Sequence, residues 1–405
     1  MSKAKKKLLL LGGSAAQLIA IQKAKELGYQ TIVCDYLPDN PGQHIADTFY
    51  LVSTTDKDAI LEVAQNEGID GIVAYSSDPA APTAAYVAEK MNLKGNGYDK
   101  VRHFCEKQLF RKFLAEHSFN VPKSIELDET SEANAIDLTG FHFPVIIKPT
   151  DSSGSKGVTV LEDAAGLPEA LDYARKYSRN KILIIEEFIR RDHPYVVEAE
   201  IFALNGEVVS WGLINSIRDS ESNPLLPSSY SYPLELSLER KALVRKEISR
   251  LVEAMGNASG AFNIELIIDS HDRLFFLDAG PRNGGNMLPE FISMAARKDI
   301  VSATIKNAMG DINRQDVEFD GESGGYWGLG VLHTSAHGTF KGMEYTPLAQ
   351  KSLVREVIQK TPGDHVRPFE RCDDLVGLDF FHFNSKEEMD QVMCHQNSTM
   401  KVVLE

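Results

Sequence analysis

Two acidic residues interrupt two apolar runs, and they constrain this chain more than any other feature. The runs are Phe262-Asn-Ile-Glu-Leu-Ile-Ile-Asp269 and Leu274-Phe-Phe-Leu-Asp-Ala-Gly-Pro-Arg-Asn-Gly-Gly-Asn286, and the acids are Glu265 and Asp278. Apolar stretches separated by a short polar turn predict an antiparallel pair of strands, here at about Ala261–Asp269 and Arg273–Ala279. Hairpin pairing then sets two carboxylates, 13 residues apart in sequence, side by side. Like charges that close are unfavourable unless a cation lies between them. Carboxylates that share such a cation with phosphate oxygens suit Mg²⁺ or Mn²⁺. The competing reading is a solvated strand face with two chance acids, and the apolar neighbours of both argue against it. Arg282, Asn283, Gly284 and Gly285 follow at once. A guanidinium beside a metal–phosphate site can neutralise a transferred phosphoryl group or fork onto a carboxylate. In the plainer reading this is a turn with a surface arginine.

A second segment points to phosphate on its own account. In Phe143-Pro-Val-Ile-Ile-Lys-Pro-Thr-Asp-Ser-Ser-Gly-Ser-Lys-Gly-Val158 a strand delivers Lys148 and a Ser/Gly loop leads into the next strand. Backbone N–H groups of such a loop converge on phosphate oxygens, and glycine permits close approach. Lys148 and Lys156 supply positive charge. A surface hairpin with a lysine at each end is the bland alternative. No Gly-Lys-Ser/Thr closes the loop, so it is not a Walker loop. A third segment, Ile182-Leu-Ile-Ile-Glu-Glu-Phe-Ile189, is an apolar strand that runs into paired acids. An adenine needs flat apolar walls and one or two hydrogen-bond partners. Glu186 is placed to accept from its amine, and Phe188 and Ile189 to offer backbone groups and a wall. A strand end reaching solvent would read the same way.

The first hundred residues alternate strand and helix patterns: Leu8–Leu11, Ala15–Leu27, Thr31–Cys34, Thr48–Val52, Lys57–Asn66 and Gly71–Tyr75. This rhythm predicts a parallel sheet covered on both faces. A small α+β unit follows, and then long strands at Tyr195–Leu204 and Val208–Ile217 with a helix over about Leu236–Met255. The Ser/Pro-rich stretch from Ser216 to Leu234 is expected to be a long loop that orders on binding. Glu318–Gly325 is expected to be a second connector. With 405 residues the chain should form two or three domains, which we place at 1–104, 105–190 and 191–405.

Composition excludes several classes. Forty-three Lys and Arg against 58 Asp and Glu give a formal net charge of -15, unsuited to nucleic acid. Apolar residues at 43% and charged residues at 25% describe a globular protein. The apolar run Leu8–Leu11 after Lys5-Lys6-Lys7 is too short for a membrane span, and it breaks at Gly12-Gly13-Ser14 without a cleavage-type site. The four cysteines, Cys34, Cys105, Cys372 and Cys394, form no CxxC pair, which fits a reducing cytoplasm and no structural zinc.

In chain order the features are Lys107 (within Cys-Glu-Lys-Gln-Leu-Phe-Arg), Lys148, the Ser/Gly loop, Glu186-Glu187-Phe188-Ile189, Glu265, Asp278 and Arg282. This ordered set resembles the ATP-grasp superfamily in its carboxylate–amine ligase branch. That branch includes D-alanine–D-alanine ligase, biotin carboxylase, the carbamoyl-phosphate synthetase large chain and the L-amino acid ligases. The resemblance covers nearly the whole chain. It implies an α/β and α+β fold, with a Rossmann-like pre-ATP-grasp domain followed by a two-lobed ATP-grasp fold. It implies that Lys107 and Lys148 bind ATP phosphates, and that Ser152, Ser153, Gly154, Ser155, Lys156 and Gly157 form a flap over them. Glu186, Glu187, Phe188 and Ile189 would hold the adenine. Glu265 and Asp278 would hold Mg²⁺ or Mn²⁺. Arg282, with Lys156, would act in catalysis by stabilising an acyl-phosphate or anchoring a substrate carboxylate.

Two departures from the family pattern stand out. Relatives commonly carry Glu-x-Asn at the second metal position, whereas this chain has Asp278-Ala279-Gly280, with Asn283 the nearest substitute. Pro194 stands where a ribose-binding Glu is expected, which leaves Asp192, His193 or Glu198 for the ribose. Four weaker candidates remain. Gly12-Gly13-Ser14 with Asp35 lacks the full dinucleotide fingerprint. Ser76-Ser77-Asp78 reads as a ligand-facing strand end or as a helix N-cap by Asp78. His333 and His337 read as structural. Arg218 and Asp219 read as substrate-reaching or as loop solvation.

The implied reaction joins a small carboxylic acid, such as an amino acid, to an amine (or a thiol) through an acyl-phosphate, with release of ADP and phosphate. Trp327–Glu405 looks most like the corresponding part of amino acid ligases. The sequence leaves the oligomeric state open, with a homodimer the assembly common among symmetric enzymes. The rival from another class is a non-catalytic ATP-binding regulatory module.

Overall fold

The computed structural model describes residues 5–219 and 223–405. Leu8, Leu9, Leu10 and Leu11 are at most 1% exposed, because helices cover both faces of the strand they form. That strand, Lys7–Leu11, is central in a four-stranded sheet with Thr48–Leu51, Gln30–Asp35 and Gly71–Val73, and every pairing is parallel. The helices Leu18–Glu26, Lys57–Glu67 and Ala81–Lys90 complete the expected βαβ rhythm. The helix after Asp78 is not capped by it: Ala80 occupies the cap position and makes no side-chain bond there. The glycine turn at Gly12-Gly13 is engaged by its own chain, with Gly13 N–H donating to Asp35 Oδ2 at 2.7 Å and Gly42 N–H to Gly13 O at 2.8 Å.

A second four-stranded sheet, antiparallel throughout, runs in the order Ser124–Leu127, Leu183–Glu187, Val145–Pro149, Thr159–Leu161. The helix Leu167–Arg175 packs its buried Leu167, Ala170, Leu171 and Ala174 on Val145, Ile147 and Ile185. In chain order the helices Tyr98–Cys105 and Lys107–Glu116 connect the two sheets.

The third sheet has eight strands among the described residues. Its order is Leu274–Gly280, Gly260–Ile268, Val196–Leu204, Glu207–Asp219, Asn223–Tyr232, Tyr326–Leu332, Gly377–Phe383, Leu353–Ile358. The helix Leu238–Met255 buries Val244, Ile248, Leu251 and Val252 in one core, and Leu288–Ala296 buries Phe291 and Ile292 in another. Residues 338–345, 365–366 and 400–404 form a small separate sheet.

The loop expected from Ser216 to Leu234 is instead the meeting of two strands. Glu207–Asp219 and Asn223–Tyr232 pair antiparallel, and the second also pairs with Tyr326–Leu332. Residues 220–222 lie outside the described residues. Three of the serines are compatible with a buried strand because their hydroxyls have partners: Ser228 Oγ donates to Ile217 O, Ser229 Oγ donates to Met393 O, and Ser231 Oγ accepts from Asn215 Nδ2. Glu318–Gly325 is a connector as expected. No helix of the described residues is long and apolar enough to cross a membrane.

Candidate active site

Strand register places three carboxylates in a row across the large sheet: Glu198 opposite Glu265, and Glu265 opposite Asp278. Directly opposed residues share a face, so the hairpin expectation for Glu265 and Asp278 is met in detail. Each carboxylate has its own partner. Lys107 Nζ donates to Asp278 Oδ2 at 3.2 Å, and Arg218 Nη2 to Glu265 Oε1 at 3.1 Å. Asn263 Nδ2 donates to Glu198 Oε1 at 3.0 Å, while the buried Glu198 Oε2 has no hydrogen-bond partner. Burial, and then the charge of Glu265, push the Glu198 carboxyl up to about 7. Burial opposes the charged form of Asp278 too, but Lys107 and Arg282 outweigh it and hold that carboxyl below its ordinary range.

A cavity of about 590 Å³ runs from this row to the strand Leu183–Glu187. Lys107, Lys148, Arg218, Glu265 and Asp278 line it together with Glu186, Glu187, Phe188 and Ile189, and Lys148 meets Glu186 within it. Ser152, Ser153, Gly154 and Ser155 form its roof. Lys107 Nζ also donates to Ser152 O at 3.1 Å, which ties the roof to the carboxylate row. Ser155 Oγ donates to Leu225 O at 3.2 Å on the large sheet.

Several expected residues stand apart from the cavity wall. Gly157 is buried at the base of the loop, where a Cβ would lie 2.7 Å from Pro149 Cγ. Lys156 does not line the cavity and lies 3.5 Å from Asp373. Glu198 lies in the carboxylate row and not beside the nucleotide-sized space. Among the other ribose candidates, His193 lines the cavity, but its Nε2 already accepts from Ile268 N–H at 3.0 Å. Asp192 is turned to Arg240 at 3.0 Å.

The Glu186 side chain does not await an adenine amine. It is buried between Arg111, whose Nε lies 2.5 Å from Oε1, and Lys148, whose Nζ lies 2.8 Å from Oε2. Burial opposes its charge, yet the two cations hold the carboxyl at about 2. Burial also pulls Lys148 below its ordinary value, against the pull of Glu186. At the strand end Phe188 N–H donates to Pro144 O at 2.9 Å, whereas among the described residues Ile189 N–H has no acceptor.

Arg282 forms a fork on Asp78, at 2.7 and 2.6 Å, and donates to Asn263 Oδ1 at 3.1 Å. It does not line the large cavity. Ser76 Oγ donates to Gly284 O at 2.6 Å beside this pair. Asn283, the substitute for the missing Asn, is fully buried and donates to Glu200 Oε1 at 3.1 Å. His333 contacts Val331 O and Asp219, while His337 stacks on His365, so the two do not converge.

Sequence reasoning missed Arg111 and left Arg218 undecided. Arg111 had a signal: it lies four residues after Lys107 on one helix and therefore on the same face. Arg218 had none, because its strand reads as the start of a loop.

Residues 106–312 match the family described as carbamoyl-phosphate synthase L chain, ATP binding domain. The chain is 26% identical over 286 residues to the formate-dependent phosphoribosylglycinamide formyltransferase of Saccharolobus solfataricus, covering 68% of this chain and 70% of that protein. An L-amino acid ligase from Bacillus licheniformis shares the fold with a TM-score of 0.81 at 19% identity, with 100% of both chains covered. A phosphoribosylglycinamide synthetase from Anaerococcus prevotii does so with a TM-score of 0.76 at 19% identity, covering 99% of this chain and 100% of that one. With a match that spans just over half of its length, this chain belongs to the carbamoyl-phosphate synthase L chain ATP-binding domain family and is an ATP-grasp enzyme.

Proposed function

We propose that this enzyme is an ATP-dependent carboxylate–amine ligase that works through an acyl-phosphate. The observation that carries the reading is the Glu265–Asp278 pair lining the same cavity as the Glu186–Ile189 segment. In this reading residues 1–104 border the acid-binding side, 105–190 carry the phosphate flap, and 191–405 carry the metal carboxylates. The adenine lies against Phe188 and Ile189, with Ile189 N–H as donor. Lys107 and Lys148 bind the phosphates, and Glu186 with Arg111 orients Lys148.

The donor set fits Mg²⁺ or Mn²⁺, since Glu265 and Asp278 present hard oxygens from adjacent strands. Among the described residues no three His, Cys, Asp or Glu side chains converge on one point. Phosphate oxygens would therefore complete the coordination of an ion whose contribution is to offset phosphate charge. The acid's carboxylate oxygen attacks the γ-phosphorus, and the bond to the β–γ bridging oxygen breaks with its electrons on ADP. Arg282, aligned by Asp78, anchors the acid. The flap excludes water until an amine displaces phosphate. A small acid such as an amino acid is supported by the likeness to an L-amino acid ligase and by a relative whose name specifies formate, itself a small carboxylate.

The test is ADP release measured against a panel of amino acids and other carboxylates, each with amine acceptors. At least one acid–amine pair should accelerate release well above the rate with ATP alone. ATP binding without any accelerating pair would sink the ligase reading in favour of a regulatory module. Asp278→Ala should lower metal-dependent turnover by at least about 100-fold, in line with loss of a principal electrostatic group. Retained activity would remove Asp278 from the metal site.

A further inference from the structure

We propose that Arg218 is a further catalytic residue, whose guanidinium faces the γ-phosphoryl group during transfer. The proposal rests on the ATP-dependent reading above and assigns a role to a side chain which that reading leaves unused.

Arg282 is the arginine expected at the phosphate from sequence, yet its fork is already occupied by Asp78 and it lies outside the large cavity. Arg218 lines that cavity beside Glu265. Its side chain is only 9% exposed, and its Nη2 lies 3.1 Å from Glu265 Oε1. Its Nη1 donates to Leu225 O at 3.3 Å, the same carbonyl that receives Ser155 Oγ of the flap at 3.2 Å. The guanidinium is therefore bracketed by the proposed metal ligand on one side and the roof of the phosphate space on the other. Ile189, against which the proposed base lies, lines the same cavity.

Local backbone geometry explains the placement. The pairing of Glu207–Asp219 with Asn223–Tyr232 slips its register between Ile217 and Arg218 and again between Arg218 and Asp219. Such irregularities re-aim a side chain that regular pairing would direct elsewhere. An arginine stays charged even when buried and presents several donors in one plane. Arg218 can thus keep one donor on Glu265 and turn others to phosphate oxygens. As the acid's oxygen bonds to the γ-phosphorus and the bridging oxygen departs with ADP, no proton changes hands. What needs stabilising is negative charge on the equatorial oxygens, and a planar cation answers that need.

The experiment is calorimetric titration of wild type, Arg218→Lys and Arg218→Gln with MgADP and with Mg–AMPPNP. Arg218→Gln should bind MgADP within twofold of wild type, while its preference for AMPPNP over ADP falls at least tenfold. Arg218→Lys, which keeps the charge but loses the fork, should fall between. Where the acid panel yields turnover, kcat should drop at least 100-fold with KM for ATP changed less than threefold. If both nucleotides weaken together, or neither weakens, Arg218 is structural and the assignment fails. A wild-type protein that binds neither nucleotide overturns the ATP-dependent reading itself. Should Arg218→Gln not fold, the Lys variant decides, since it retains a cation beside Glu265.

Discussion

Glu200 shows how a single buried group ties the stability of this protein to pH. Burial pushes its carboxyl up to about 8, even though Gly284 N–H at 2.8 Å and Asn283 Nδ2 at 3.1 Å both donate to it. The folded protein holds the proton more tightly than the unfolded chain, whose carboxyl titrates near 4.5. Below the unfolded value both states are protonated. As pH rises from there to the folded value, only the unfolded chain loses the proton, so stability falls. Glu200→Gln removes this dependence. The Asn283 Oδ1 atom has no partner, so a flip of that amide lets it accept from the new Gln Nε2. The variant should therefore gain stability over wild type between pH 6 and pH 8, by about 1 kcal/mol per pH unit. Thermal unfolding of both proteins at the two pH values measures this, and a gap that does not widen with pH rules it out. At this scale Glu265 and Asp278 were legible because a hairpin dictates which residues face each other. The partners of Glu186 were not, since Arg111 and Lys148 reach it from a helix and a strand distant in sequence.

Among the elements, the Ser/Gly loop proposed as the phosphate flap depends most on one residue. Gly157 adopts φ +77, and an added Cβ would also lie 3.2 Å from the Ala174 Cα of the helix beneath. Gly157→Ala combines the left-handed backbone cost of roughly 1–2 kcal/mol with a contact against backbone that cannot yield. We expect about 2 kcal/mol of destabilisation in urea unfolding and weaker ATP binding, because the base of the flap must shift. Unchanged stability would mean that the loop relaxes without reference to the helix. The Ser/Gly composition of this loop was readable in advance, as turns need residues that accept positive φ. The Ser/Pro composition of Asn223–Tyr232 misled by the same logic. Serine marks a loop when water satisfies its hydroxyl, whereas here Ile217 O and Met393 O accept from Ser228 and Ser229 inside the sheet.

The first sheet and the large sheet are joined at Asp78–Arg282 and Ser76–Gly284, across more than 200 residues of chain. Removing one partner of a largely buried ion pair leaves an uncompensated charge, at a cost of about 3 kcal/mol. Asp78→Asn should lower the urea midpoint accordingly and should also impair turnover, since Arg282 loses its alignment toward the acid. A midpoint equal to that of wild type would show that the contact does not couple the two parts. The βαβ rhythm of the first hundred residues and the 13-residue spacing of Glu265 and Asp278 needed nothing but local periodicity. Side-chain direction within one strand or helix follows from its own repeat, so the parallel sheet and the hairpin could be read directly. Which cation meets which carboxylate depended on how the elements pack. Arg218 reaches Glu265, Arg111 reaches Glu186 and Arg282 reaches Asp78 only because elements distant in sequence pack against one another. Coulomb attraction acts through space and carries no sequence period, so those pairings were decided by the tertiary structure alone.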